Sequence, residues 1–215
     1  MSKIISVEGN IGSGKSAILK ALKEFLKNHE NIIFLQEPVD QWQHIKDENG
    51  VTILTKFYEN KKKYSFAFQM MAYISRLSLL LDIMKQNPDA IIITERCLNT
   101  DRYVFAKMLF DGGFIEDVEY QIYLKWFDYF IDIKRIQKTV YLKTEPTICL
   151  ERINKRNREG ESKITLEYLE NCHQYHENMI HMTDNILVID SNKDTTIEKH
   201  VEIEWLNMIQ DFIYQ

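Results

Sequence analysis

The sequence predicts an α/β protein built on a five-stranded parallel sheet with helices on both faces. Five short runs are almost continuously apolar, as strands buried on both faces are. Longer amphipathic runs alternate with them. A glycine-rich stretch, SVEGNIGSGKSA at 6–17, joins the first apolar run directly to the first amphipathic one. Strand, helix and strand in succession require right-handed crossovers, hence parallel strands.

The strands are expected at 3–7, 31–36, 90–94, 138–143 and 185–190, each rich in Ile, Val or Leu. Helices are expected at 15–28, 52–59, 63–86, 99–110, 117–134, 146–156, 165–182 and 195–213. With 215 residues and 45% hydrophobic composition, the chain can bury one full core as a single domain over 1–215. Seven Gly, three Pro and no low-complexity segment leave no linker to divide it.

A net charge of −5 with signs interspersed offers no basic face, so no nucleic-acid partner is expected, and the Lys run at 61–63 reads as a solvated helix start. Cys97, Cys149 and Cys172 form no C-x-x-C pair, which suits a reducing compartment. His173 and His176, without a third ligand nearby, read as helix-surface residues. No apolar run reaches the ~20 residues of a bilayer span, and a strand starting by residue 3 leaves no room for a leader. No membrane association and a cytoplasmic location are therefore expected.

Gly9, Gly14, Lys15 and Ser16 stand at the spacing G-x-x-x-x-G-K-S. Between a strand and a helix this builds a phosphate cradle, in which backbone N–H groups and the helix N-terminus face the phosphates. Residues 9–16 (Gly9, Asn10, Ile11, Gly12, Ser13, Gly14, Lys15, Ser16) are the expected nucleotide site. Lys15 would reach the terminal phosphates and the Ser16 hydroxyl would face Mg²⁺. With the parallel sheet, this is the fold of P-loop proteins, and the loop by itself leaves a P-loop kinase fold, a GTPase switch and a motor ATPase open.

The loop alone leaves the phosphate acceptor open. Open α/β sheets assemble their sites at the carboxyl ends of strands, and two acids stand there, Glu37 after NIIFLQ and Glu95 after AIIIT. Phosphoryl transfer to an alcohol uses both kinds of carboxylate, one for the metal and one for the hydroxyl proton. A GTPase would need D-x-x-G after the third strand and N-K-x-D, and both are absent. Arg152, Arg156 and Arg158, beside Gly160, form an Arg-rich lid at about 152–164 that could close over a triphosphate and exclude water.

EGNIGSGKS, EPVDQW, FYENKKKYSFAFQ, ERCLNTDRYVFA and RINKRNREGESKITLEYLENCHQYHE stand in the order and spacing of the deoxynucleoside kinases, which the chain resembles from residue 3 to about 177. The resemblance implies ATP as donor, Mg²⁺, a deoxynucleoside acceptor and a homodimer. It implies that Glu37 is the base for the sugar 5′-hydroxyl, that Arg96 holds this hydroxyl, and that Glu95 helps place the metal. Tyr58 and Glu161 resemble the pair on the 3′-hydroxyl. Gln69 resembles the reader of the base, between Phe68 and Trp42. Arg152 resembles the side chain near the ATP base, while Arg156 and Arg158 resemble the phosphate clamp. Cys97 and Thr165 depart from the family, which usually has Ser and Pro there; Thr at a helix start can cap it.

The residues support a pocket independently. Phe68, Gln69, Ala72 and Arg76 share one face of the 63–86 helix, and a buried amide and guanidinium there require a partner such as a flat base. Family members that accept deoxycytidine and purine deoxynucleosides resemble this chain at Ala72, Arg76 and Asp101, whereas thymidine-accepting members carry apolar or small residues at the latter two. Deoxycytidine and purine deoxynucleosides are thus expected to be favoured over thymidine. Two alternatives stay open, a nucleoside monophosphate kinase of the thymidylate kinase kind and a non-catalytic nucleotide-binding subunit.

Overall fold

The computed structural model describes residues 2–130, 136–158, 160–195 and 197–215. Residues 131–134 of the helix expected over 117–134, position 159 of the expected lid and position 196 of the last expected helix lie outside them.

The described elements run β1 (Lys3–Glu8), α1 (Lys15–Phe25), β2 (Ile32–Leu35), α2 (Val39–Gln43), α3 (Ile53–Glu59), α4 (Lys61–Gln86), β3 (Ile91–Glu95) and α5 (Leu98–Thr100). A π-helical turn (Asp101–Ala106) leads into α6 (Lys107–Asp111), followed by α7 (Asp117–Tyr129), β4 (Ile136–Lys143), α8 (Pro146–Arg156), a 3₁₀ turn (Glu161–Lys163), α9 (Leu166–His181), β5 (Ile186–Asp190) and α10 (Lys199–Tyr214). The five strands are parallel in the order β2-β3-β1-β4-β5.

Alternation along the strands sorts the two faces. Ile5, Val7, Ile93, Val140 and Leu142 point to one side, where Leu19, Leu22, Trp205 and Ile209 of α1 and α10 cover them. Ile4 and Ile92 point to the other, under Tyr73 and Leu77 of α4 and Tyr123 and Phe127 of α7. A further cluster contains Trp42, Leu54, Phe57, Phe68, Ile153 and Leu169, of which the first four line a cleft. Helices on both faces of a parallel sheet are what the sequence predicts.

Several boundaries differ from expectation. The 99–110 helix contains the π turn, the last helix starts at Lys199 instead of 195, and α2 has no counterpart among the expected elements. Five residues, with Pro38 at the N-cap, leave too little periodicity to read. Thr165 caps α9, its hydroxyl accepting from Tyr168 N at 3.2 Å. His176 corrects the surface reading: it is wholly buried, because α9 turns Leu169, Cys172, His176 and Met179 inward together. Its Nδ1–H donates to the Cys172 carbonyl at 2.7 Å, and burial lowers its pKa to about 3. The 26 residues of α4 are long and apolar enough to cross a membrane by length and composition, contrary to the expectation that no segment is. Here α4 buries Tyr73, Leu77 and Leu80 in the core and turns Gln69 and Arg76 to the cleft.

Candidate active site

Register brings the functional strand ends together. Val7 pairs with Glu95 and Leu35 with Thr94, so the chain leaves β1, β2 and β3 at one edge, where a cavity of about 430 Å³ opens. The loop after β1 approaches its neighbours too closely for side chains. A Cβ on Gly12 (φ +81°) would lie 2.5 Å from the Cys149 carbonyl oxygen, and one on Gly9 (φ +145°) 2.7 Å from that of Leu142. Asn10 ties the loop to α9 through a 2.8 Å bond to the Leu169 carbonyl. The loop delivers the N-terminus of α1 to the cleft, with Gly14 as left-handed N-cap.

Lys15 curls over the loop, donating to the carbonyls of Gly9 (3.0 Å) and Asn10 (2.7 Å). Burial, with Arg96 nearby, lowers its pKa to about 7. A triphosphate beside the ammonium favours its charged form, so nucleotide binding above pH 7 takes up a proton. Titration calorimetry at pH 8, in buffers of different ionisation enthalpy, is expected to register uptake approaching one proton, and less at pH 6. Absence of uptake at pH 8 contradicts this account of Lys15.

The Ser16 hydroxyl donates to Glu95 Oε1 at 2.7 Å. Two hard oxygen ligands beside a phosphate cradle fit Mg²⁺, which completes its shell with phosphate and water rather than with a protein cage.

At the acceptor end, Glu37 is gripped from both sides. Arg96 Nη1 donates to Oε2 at 2.7 Å and Arg76 Nη2 to Oε1 at 2.8 Å. Burial alone would raise the Glu37 pKa, but the two guanidinium groups outweigh it and hold the carboxyl at about 2. Arg96 adopts φ +61°, a left-handed conformation that costs a non-glycine residue roughly 1–2 kcal/mol. Its N–H bonds the Val7 carbonyl at 3.0 Å, and its guanidinium lies 5.0 Å from the Phe105 ring centroid.

Phe68 stacks on Phe57 (centroids 4.5 Å) and meets Trp42 edge-on at 5.7 Å, forming an aromatic wall. Gln69 is buried on the same turn, and its Oε1 has no partner, a costly arrangement unless a ligand supplies a donor. Beyond it, Arg76 Nε donates to Asp101 Oδ2 at 2.9 Å. Tyr58 and Glu161 both face the cavity. Glu161 accepts from Arg156 Nη2 (2.5 Å) and Arg158 Nη1 (3.2 Å), which gathers the lid arginines at the mouth. Arg152 bonds the carbonyls of Lys193 (2.9 Å) and Ser13 (3.4 Å), beside the loop.

The cavity is thus lined by most of the residues singled out in the sequence; Gly9, Asn10 and Ser13 sit behind its surface. Phe57, Phe105 and Tyr168 line it too and were not foreseen. The signal for Phe105 was its place four residues after Asp101 on one helical run, but the π turn that sets both facings is invisible in periodicity. One extra residue in that turn rotates the rest of the helix by roughly 100°. Cys97 does not line this cavity; its sulfur lies 3.6 Å from Thr100 Oγ1, whose hydroxyl donates to buried Glu8 at 2.6 Å.

A phosphate cradle facing a carboxylate held by arginines, with an aromatic slot behind it, suits phosphoryl transfer to a flat-ringed alcohol. Comparison with known proteins agrees. The sequence profile of the family described as "Deoxynucleoside kinase" matches residues 5–214. The chain is 34% identical over 220 residues to a probable deoxycytidine kinase of Fowlpox virus (strain NVSL), covering 98% of this chain and 88% of that protein. It is 34% identical over 223 residues to deoxycytidine kinase of Homo sapiens, covering 89% and 85%. It is 35% identical over 193 residues to a putative kinase of Invertebrate iridescent virus 3, covering 90% of each. With its fold, its phosphate loop and a match along nearly its whole length, the chain belongs to the deoxynucleoside kinase family of phosphotransferases.

Proposed function

We propose that this kinase transfers the γ-phosphate of ATP to the 5′-hydroxyl of deoxycytidine and purine deoxynucleosides, with thymidine a poor acceptor. The observation that carries the preference is the Arg76–Asp101 pair at the base end of the cleft, 2.9 Å apart and buried. Paired, the two charges are tolerable there. They also present polar groups toward the edge where thymine carries its 5-methyl; on that edge cytosine has only hydrogen at C5 with its exocyclic amine beside it, and the purines present a ring nitrogen and an exocyclic group. That several relatives bear the name deoxycytidine kinase supports this acceptor class.

In this reading the base lies along Phe68 and Trp42 and meets Gln69, while Tyr58 and Glu161 take the 3′-hydroxyl. Arg96 and Glu37 hold the 5′-hydroxyl in line, and Glu37 accepts its proton. A carboxylate held at about pKa 2 is a weak base, which suits a loose transition state in which the proton moves late and orientation matters more than basicity. Lys15, Arg156 and Arg158 bind the phosphates, and Arg152 flanks the donor base. Ser16 and Glu95 would hold Mg²⁺, which neutralises charge on the phosphate oxygens when bound. The monophosphate kinase reading is disfavoured because Arg76 and Arg96, the cations beside Glu37, are already paired with Glu37 and Asp101.

A panel of four deoxynucleosides and deoxycytidine monophosphate, each with ATP and Mg²⁺, tests this. Thymidine kcat/KM is expected to fall roughly 10–200-fold below the best acceptor, the span of one mismatched contact. The double variant Arg76→Met with Asp101→Ala is expected to admit thymidine. Thymidine turnover equal to or above the others overturns the preference, and a faster monophosphate overturns the acceptor class.

We further propose that the enzyme is a homodimer. On α7, Val118, Ile122, Trp126 and Tyr129 are exposed at i, i+4, i+8 and i+11, an apolar stripe on a helix that packs beside α4, where Ile74 is exposed as well. Light scattering is expected to give twice the chain mass, and Trp126→Glu to reduce it to one; a monomeric parent protein refutes this.

A further inference from the structure

Arg76 makes more bonds than base selection requires. Rooted on α4 and 5% exposed, its guanidinium reaches three other segments. Nε and Nη2 donate to the two oxygens of Asp101 in the π turn (2.9 and 3.4 Å), Nη1 donates to the Glu95 carbonyl at the end of β3 (3.0 Å), and Nη2 also donates to Glu37 Oε1 after β2 (2.8 Å). A guanidinium is planar, so a two-point grip on one carboxylate fixes its plane and the direction of its remaining N–H groups. Asp101 therefore aims Arg76 at Glu37.

We propose that Arg76 is a positioning residue for Glu37 as well as a determinant of base selection, so that acceptor choice and the general base are tied through one guanidinium. This rests on the reading of Glu37 as the base. The groups facing Glu37 are Arg76 from α4, Arg96 from the turn after β3 and Lys15 from α1 as cations, with Asp101 as the like charge and Tyr58 as a neutral phenol. Among the described residues, only Arg76 and Arg96 touch its carboxylate in ion pairs, one on each oxygen. Removing Arg76 strips one of two direct contacts. Asp101→Asn keeps one oxygen to accept from Arg76 Nε, which preserves the aim of the guanidinium at Glu37, and takes away a repulsion. The two members of the selectivity pair thus act on Glu37 in opposite directions.

The charges set the sign. Loss of a cation raises the Glu37 pKa, and the ionised base is then lost at a higher pH as pH falls, so the acid limb of kcat/KM moves up. Loss of an opposite charge at this range shifts a carboxyl by about 1–3 pH units. The test is carboxyl ¹³C NMR titration from pH 3 to 8, a window that opens above the parent Glu37 midpoint so that only a rise brings the transition into view, with the Glu37 signal assigned by its absence in Glu37→Gln, alongside pH profiles of kcat/KM for deoxycytidine. In Arg76→Met the Glu37 midpoint is expected to rise by about 1–3 units, with the acid limb following it. Arg76→Lys, which keeps a cation, is expected to rise by less, and Asp101→Asn is expected to stay level or fall. A Glu37 titration unmoved in Arg76→Met, or a rise in Asp101→Asn equal to that in Arg76→Met, overturns the proposal. Full activity of Glu37→Gln would instead remove Glu37 from the base role, an outcome separate from the titration.

Discussion

Glu37→Gln is expected to keep nucleoside binding within a few-fold and to lower kcat by roughly 10²–10⁴-fold, the span of general-base loss. The amide can still accept a hydrogen bond from the 5′-hydroxyl and from Arg96, so ground-state contacts survive. It cannot take the proton, and it no longer balances the two guanidinium groups at 2.7 and 2.8 Å. Steady-state kinetics with separate determination of nucleoside Kd checks this. A near-normal kcat would remove Glu37 from proton transfer and leave it as a counter-ion for Arg76 and Arg96.

The second large effect lies in the lid. Arg156→Ala and Arg158→Ala are each expected to lower kcat by about 10²–10³-fold, the span lost with one donor aimed at developing charge, and the double variant by at least about 10³-fold, the low end of the range for arginines that stabilise a transferring phosphoryl group. The apparent KM for ATP should change much less, because charge builds on the phosphoryl oxygens at the transition state. Both side chains bond one carboxylate, Glu161, so their losses should not add. Lysine at either position keeps a charge but loses the planar fork and should restore little. An effect confined to KM for ATP would make these residues donor-binding groups only.

Much of this machinery is legible in order along the chain because its parts obey local rules. The phosphate loop needs glycines where a Cβ would strike backbone, a lysine and a hydroxyl, all within eight consecutive positions. Strands buried on both faces read as unbroken apolar runs, and Glu37 and Glu95 follow two of them immediately. Gln69 and Arg76 share a face of α4 because seven residues make nearly two turns. His176 was legible too, one turn after Cys172 on the inward face of α9, once its helix is followed beyond the polar residues beside it.

The sequence by itself therefore determined the fold class, the glycine-rich loop and the helix face that Gln69 and Arg76 share, since each depends on spacing within one element. Only the tertiary structure decided which charges meet. Arg76, Arg96, Glu37 and Asp101 come from four separate segments, and their pairing depends on strand order, on the left-handed backbone at Arg96 and on the π turn that carries Asp101. The same holds for Glu161 gathering the lid arginines and for Phe105 beneath Arg96. Periodicity reports which way a side chain faces on its own helix or strand; it carries no information on what another element places opposite. Electrostatic energy depends on that separation and on burial, so the ionisation state of Glu37 is set only once the sheet and its helices have packed.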